Sequence, residues 1–465
     1  PSFKRKPNRP FQDMATWIAV ALLAHLACLA PWVVVMRQVN PYMDEIFHIP
    51  QAQKYCEGHF EEWDPKITTF PGLYLSSSLV RGFTGFYCSK DALRLENLMY
   101  ALATHVVMYR LLRRHLDGKR AAAHSFMLSV YPIHFFFQTL YYTDVGSLFW
   151  TLLTHDLAMP TKGQALPARR VIFAAVSGCI AILFRQTNAV WLMFTFGTAA
   201  LSDLQSSKWG STLTQSYISP SVLLTFCHAL LMESGRLLSR LGFLLVPVLL
   251  FLAFVVQNNG SIVVGDHSNH QIAAHWAQLA YLCAVTAATS GFGDGSALSL
   301  SSMKNFGSAC VASWRSLLLL LVSLALTTFI LHRYSLAHPF LLADNRHYTF
   351  YIWKRILSRP GFKEALAPGY VYAAWYCWCR NSGQSGLWVL IWWVAAVLTL
   401  VPAPLLEPRY WTTAVLLSHL HAPEHTWPSC LATSSTFLLV NVLTLGIFVY
   451  RPFAWPTGEV ARFMW

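Results

Sequence analysis

The chain has 465 residues, of which 55% are hydrophobic and 12% charged, about half the charged share of a water-soluble globular protein. Apolar runs recur from residue 14 to residue 451 with no long polar stretch to house a soluble domain, so lipid must solvate much of the surface. Lysine plus arginine number 34 against 21 acidic residues, a formal charge of +13; no basic soluble face gathers this excess for a nucleic acid, and it reports membrane orientation instead.

Lys4, Arg5, Lys6 and Arg9 precede an apolar run over about 14–39. That run is too long for a signal-peptide core and reads as a retained span leaving the cytosol. A polar excursion over about 40–91 follows on the far side, the longest in the chain. The span near 93–112 returns to Arg110, Arg113, Arg114, Lys119 and Arg120, a second basic turn that places the cytosol independently. Spans are then predicted near 122–142, 145–159, 171–184, 189–204, 240–257, 272–290, 315–333, 364–380, 386–405 and 431–451, with a short element at 409–421, giving about 12–13. Lys162, Arg169 and Arg170 again fall on the cytosolic side. Residues 205–240 and 291–313 read as variable cytosolic loops, the former with an interfacial middle, and the whole chain 1–465 as one polytopic, all-α membrane domain.

The ten cysteines lie mostly in apolar segments, where Cys28, Cys179, Cys227 and Cys283 pack as small apolar side chains. Cys377 and Cys379 lack zinc-site spacing, so no metal is predicted.

A charge at the centre of a lone span costs roughly 2.5–3.5 kcal/mol on insertion scales, which makes acidic positions informative. Few are in mid-span. Asp44, Glu45, Asp144, Asp266, Asp344 and Glu407 gather at far-side ends, and His48, Arg185, His267, Arg346, His347, Lys354, Arg355 and Arg409 collect with them. Such convergence predicts a site at one membrane face. The densest stretch runs from Pro41 to Gly72, where His48 sits one helical turn after Asp44. Aromatics there, including Trp63, alternate with carboxylates, a mixture that suits sugar rings and hydroxyls. Helix capping beside a solvated loop is the alternative.

The blocks YMDEIFHIPQAQKYCEGHF, WDPKITTFPGLYL, FRQTNAVW, VVGDHSNHQ, LLADNRHYTFYIWKR, EPRYW and RFMW, in this order, resemble the α-1,2-glucosyltransferases of the dolichol pathway in the endoplasmic reticulum. The resemblance implies a multi-span helical bundle of the GT-C class with its active site in the lumen of that membrane system and a long first lumenal loop, 40–91. It implies a donor, dolichyl phosphate glucose, and an acceptor, the di-glucosylated dolichyl-diphosphate oligosaccharide used for asparagine-linked glycosylation. Donor and product stereochemistry imply inversion in one displacement, with a base acting on the acceptor 2-hydroxyl.

Asp44 occupies the position of the catalytic acidic residue in the first lumenal loop of that class and is the expected base. Glu45 is the alternative, because adjacent helical side chains point about 100° apart and one alone can face the hydroxyl. His48 is expected to orient Asp44 or a sugar hydroxyl, with a packed histidine as the alternative. Arg346 and His347, then Arg185, Arg409 and Lys354, are expected around the donor phosphate, since arginine matches phosphate with a bidentate fork. Membrane-anchoring roles compete for Arg185 and Lys354. Asp144, Asp266 and Trp63 are candidate sugar contacts, with capping of lumenal helix ends as the equal alternative for Asp144 and Asp266. No cofactor or metal is expected, because arginine and histidine can neutralise a lipid monophosphate. Tyr131, Phe135, Phe136, Phe137, Tyr141 and Tyr142 are expected in the core or an interfacial belt, with a polyprenyl groove as the alternative. Cys56 and Cys88 share an oxidising loop and can form a disulfide. A transporter or scramblase, a non-catalytic assembly factor, and a mannosyltransferase of the same class are the rival functions; the first usually places its ionisable groups near the bilayer midplane.

Overall fold

The computed structural model describes residues 9–160, 166–266, 272–291, 295–422 and 426–465. Lys4, Arg5, Lys6, Lys162 and His267 fall outside them. The regular structure of the described residues is almost wholly helical, and their only sheet pairs β1 (Phe453–Ala454) with β2 (Val460–Ala461). Ala15–Met36, Ser234–Gln257, Trp314–Tyr334 and Trp427–Tyr450 are long and apolar enough to cross a membrane. Their outer faces stay apolar in the folded chain: Leu23, Leu249, Leu319 and Leu439 are each more than half exposed. A face of this kind needs hydrocarbon around it, which makes the protein a polytopic membrane protein.

Nine helices lead into the region of interest: α1 (Arg9–Met36), α2 (Glu45–Glu57), α3 (Gly72–Thr84), α4 (Lys90–Leu112), α5 (Gly118–Ser129), α6 (Pro132–Phe137), α7 (Thr143–Ala158), α8 (Ala168–Phe184) and α9 (Asn188–Gln205). The run 122–142, read above as one span, is broken. Pro132 cannot continue the hydrogen-bond ladder of α5 and instead opens α6. Residues 205–240 and 291–313 are not plain loops either: Pro220–Met232 and Leu300–Val311 are helical, each started by a serine cap.

Helices α4, α7, α8 and α9 form the centre. Gly146 of α7 permits the close approach of α8, since a β-carbon there would lie 2.3 Å from the Phe184 ring. The segment between α1 and α4 folds as the pair α2 and α3, and the Cys56–Cys88 disulfide ties the end of α2 to the link between α3 and α4. It docks on α8 through Gly72, where a β-carbon would lie 2.6 Å from the Leu183 backbone. Tyr131, Phe135, Phe136, Phe137, Tyr141 and Tyr142 are all buried. They are core, with Phe137 and Tyr142 presenting their faces to Arg409.

Because α4 and α7 run antiparallel to their neighbours in sequence, the bundle has two poles. One carries Asp44, the start of α4 and of α7, and the end of α8. The other carries Arg110 and Arg114, Asp156 near the end of α7, and Arg170 near the start of α8. The 23 residues of α4 separate them by about 34 Å.

Candidate active site

After α1 the chain turns through Met43, whose backbone has a φ of 55°, a left-handed conformation rare for a side chain of this size. Asp44 then takes the N-cap position of α2 without a side-chain capping bond, and Glu45 begins the helix. The two acidic neighbours consequently face different surroundings. Glu45 is fully buried and spent on structure: Arg94 donates to it at 2.8 Å and 2.5 Å, and the backbone N–H groups of Tyr141 and Tyr42 add bonds of 2.8 Å and 3.3 Å. Arg94 also donates to the Met36 and Val39 carbonyls, tying the end of α1 to α4.

The Asp44 side chain is 38% exposed, and one of its oxygens accepts from Arg409 at 3.0 Å. Burial pushes its carboxyl up, but the Arg409 charge, followed by His48, brings it below the ordinary carboxylate value. His48 is buried and shares a 2.5 Å hydrogen bond through Nδ1 with the Tyr74 hydroxyl. Its burial lowers its proton affinity more than the nearby Asp44 raises it.

Arg409 sits in a 3₁₀ turn, Pro408–Trp411, whose leading proline presets the backbone for the helix Thr412–His421. Its guanidinium reaches three carboxylates: Asp44, Glu407, and Asp144 at 3.5 Å. Asp144 lies in the first turn of α7, where the helix dipole favours a negative charge, and pairs with Arg185 just past the end of α8. The α7 to α8 packing therefore completes a relay Asp44, Arg409, Asp144, Arg185. Arg346 is held by Asp344 through a two-pronged contact of 2.8 Å and 2.7 Å and lies between the rings of Tyr42 and Trp455. Arg346 lowers the Asp344 carboxyl in spite of burial. His347 reaches the Trp465 carbonyl through Nδ1 at 2.9 Å.

Two cavities meet at Arg409. One of about 450 Å³ is lined by Asp44, Tyr142, Arg346, His347 and Glu407, and one of about 250 Å³ by Asp144, Arg185, Asn188, His338 and Tyr410. Asp44, Asp144, Arg185, Arg346, His347 and Arg409 are thus brought together, with His48 adjacent. Three expected contacts stand elsewhere. Lys354 is exposed over the Phe350 ring. Asp266 is exposed on a loop whose backbone bonds to Pro65, and Trp63 packs on Tyr55 and Tyr74. None lines either cavity. Glu407, Tyr410 and the terminal Met464 and Trp465 line them without having been assigned a role from the sequence. The motifs EPRYW and RFMW were their signal, together with the place of Glu407 among the clustered carboxylates. Among the described residues, one exposed group, His59, Glu61 and Glu62, is close enough to hold a cation; it also lies outside both cavities.

Fold and site define a polytopic helical membrane protein with a carboxylate and arginine centre at one end of its bundle. The chain matches the DIE2/ALG10 family over residues 38–420 and belongs to that family. It is 34% identical to a human protein named Dol-P-Glc:Glc(2)Man(9)GlcNAc(2)-PP-Dol alpha-1,2-glucosyltransferase, over 92% of this chain and 93% of the relative. Relatives of the same name are 33% identical in Arabidopsis thaliana, over 96% of this chain and 99% of theirs, and 29% in Yarrowia lipolytica, over 92% and 94%. No solved structure matches the chain.

Proposed function

We propose that the protein is an inverting α-1,2-glucosyltransferase that moves glucose from dolichyl phosphate glucose to the di-glucosylated dolichyl-diphosphate oligosaccharide. The relatives' name supports the substrates. The observation that carries the chemistry is the division of labour between neighbours: Glu45 is buried against Arg94, while Asp44 keeps an open side at a cavity wall.

In this reading Asp44 takes the proton of the acceptor 2-hydroxyl as that oxygen bonds to the glucose anomeric carbon. The carbon–oxygen bond to phosphate breaks on the opposite face, and dolichyl phosphate leaves with the electron pair. Arg409 and Arg185 stabilise the leaving phosphate, with His347 and Arg346 at the far wall, so the arginine and histidine set supplies the cations and no metal is invoked. A phosphate beside Arg409 competes with Asp44 for the guanidinium. Donor binding then raises the basicity of Asp44 at the moment a base is needed. In the same reading Asp144 meets a sugar hydroxyl.

We place the Asp44 pole in the lumen of the endoplasmic reticulum. Two independent features support that side: the Cys56–Cys88 disulfide needs an oxidising compartment, and the arginines of the opposite pole follow the positive-inside bias. Purified protein given dolichyl phosphate glucose and the di-glucosylated lipid-linked acceptor is expected to add one glucose, and linkage analysis should find it on a 2-hydroxyl. Transfer to a different position, or none where a relative transfers, contradicts the reading.

A further inference from the structure

The opposite pole holds a larger recess, of about 790 Å³, that the glucosyl-transfer chemistry does not use. Arg110, Arg113, Arg114 and Arg170 line it, against one carboxylate, Asp156. A basic membrane end alone would be explained by orientation, with mobile arginines in solvent. These are fixed. Arg114 donates to the Asp156 and Pro160 carbonyls at 2.8 Å and 3.0 Å, and Arg170 to the Asp156 carbonyl at 2.7 Å. Both thereby close the C-terminal end of α7, where the helix dipole favours cations. Asp156, with 2% of its side chain exposed, is shared by Arg110 at 2.7 Å and Arg114 at 2.9 Å. Four guanidinium groups lining a recess that holds one carboxylate leave an uncompensated positive charge in a partly desolvated site, which an anion would offset.

The recess also has donors that the fold leaves unused. Trp388 is 4% exposed and Thr198 6%; the indole N–H of the first, the hydroxyl of the second and Nε of Arg114 make no hydrogen bond within the described residues. Buried donors of this kind ordinarily find a partner. Here all three belong to residues lining the same recess. The volume lies in the range of small-molecule sites. Leu111, Met159, Leu201 and Leu420 supply an apolar wall beside the charged one.

We propose that this recess binds a phosphate-bearing anion, held by Arg114 and Arg170 with the Trp388 and Thr198 donors; the apolar wall favours the headgroup of an anionic lipid over a soluble phosphate compound. The site is separate from the Asp44 pole and does not depend on the glucosyltransferase reading.

The test uses the full chain, delipidated and placed in nanodiscs of phosphatidylcholine with or without phosphatidic acid, with native mass spectrometry counting retained lipid. A second arm titrates inorganic phosphate in detergent at constant ionic strength. Wild type is expected to retain phosphatidic acid over phosphatidylcholine. Arg170→Gln should weaken this by about tenfold, as expected for one lost charge-assisted hydrogen bond. Trp388→Phe with Thr198→Val removes donors that no contact in the fold uses, so it should weaken retention several-fold with an unchanged melting temperature. Phosphate binding that responds to these substitutions, with no lipid preference, supports the anion site and assigns it a soluble occupant. The proposal is overturned if neither probe binds selectively, or if binding ignores the Trp388 and Thr198 substitutions in a folded protein.

Discussion

The two poles are built at opposite ends of the same helices, yet their charges are arranged in contrary ways. At one end Arg409 is shared among Asp44, Asp144 and Glu407, and Arg185 closes on Asp144. At the other, four arginines line a recess whose one carboxylate, Asp156, pairs with Arg110 and Arg114. The first arrangement holds a carboxylate in ionised form with part of its surface open, which is what a base at neutral pH requires. The second can only attract an anion. Nearly the same contrast recurs inside the first pole: Glu45 and Asp44 are adjacent, one fixed by four hydrogen bonds and the other by one cation at a cavity wall.

The sharpest way to break the contrast is at Glu45. Glu45→Gln leaves Arg94 buried without its counter-charge, a loss of about 3–5 kcal/mol, expected as a large fall in melting temperature and in yield of folded protein. Should Glu45→Gln fold normally and lose only turnover, the roles of the neighbours are reversed. Next in size, Cys56→Ser with Cys88→Ser opens a loop of 32 residues and is expected to cost about 3–4 kcal/mol. That loss should appear as earlier proteolysis of the α2 and α3 segment, with the opposite pole unaffected in hydrogen exchange.

Arg409→Gln removes the cation shared by both cavities. Turnover should fall about 10²-fold through lost phosphate stabilisation, and lysine should restore little of it because a point charge cannot span three carboxylates. The same variant shifts the pH profile. Arg409 lowers the Asp44 carboxyl against the upward push of burial, so the acid limb of kcat/KM in the native protein lies below the ordinary aspartate value. Without Arg409 the limb moves to higher pH. The sign for stability agrees: the pairing contributes above the unfolded aspartate value and is lost as pH falls through the depressed folded one. An acid limb unmoved by Arg409→Gln would mean that a different group sets it.

Much of the helical frame was legible. The predicted spans near 189–204 and 315–333 coincide with Asn188–Gln205 and Trp314–Tyr334, because an apolar run bounded by polar residues defines both its length and its ends. The break at Pro132 and the helices inside 205–240 and 291–313 were not, since serine caps there precede short segments that lack the length of a span. Within the site, clustering of scarce charges at one face pointed to Asp44, Asp144, Arg185 and Arg409. The choice between Asp44 and Glu45 was illegible, because it depends on Arg94, 49 residues away in the chain, and on Arg409, 365 away. Lys354 and Asp266 share the right face in sequence, but the fold leaves both outside the cavities.

The central claim is that Asp44, and not its neighbour, is the base. Single-turnover transfer from dolichyl phosphate glucose, measured for Asp44→Asn beside wild type with melting temperature as a control, tests it most directly. The predicted result is a rate lower by about 10²–10⁴-fold in a protein of near-native stability that still binds donor. A folded Asp44→Asn protein that transfers glucose at the wild-type rate contradicts it.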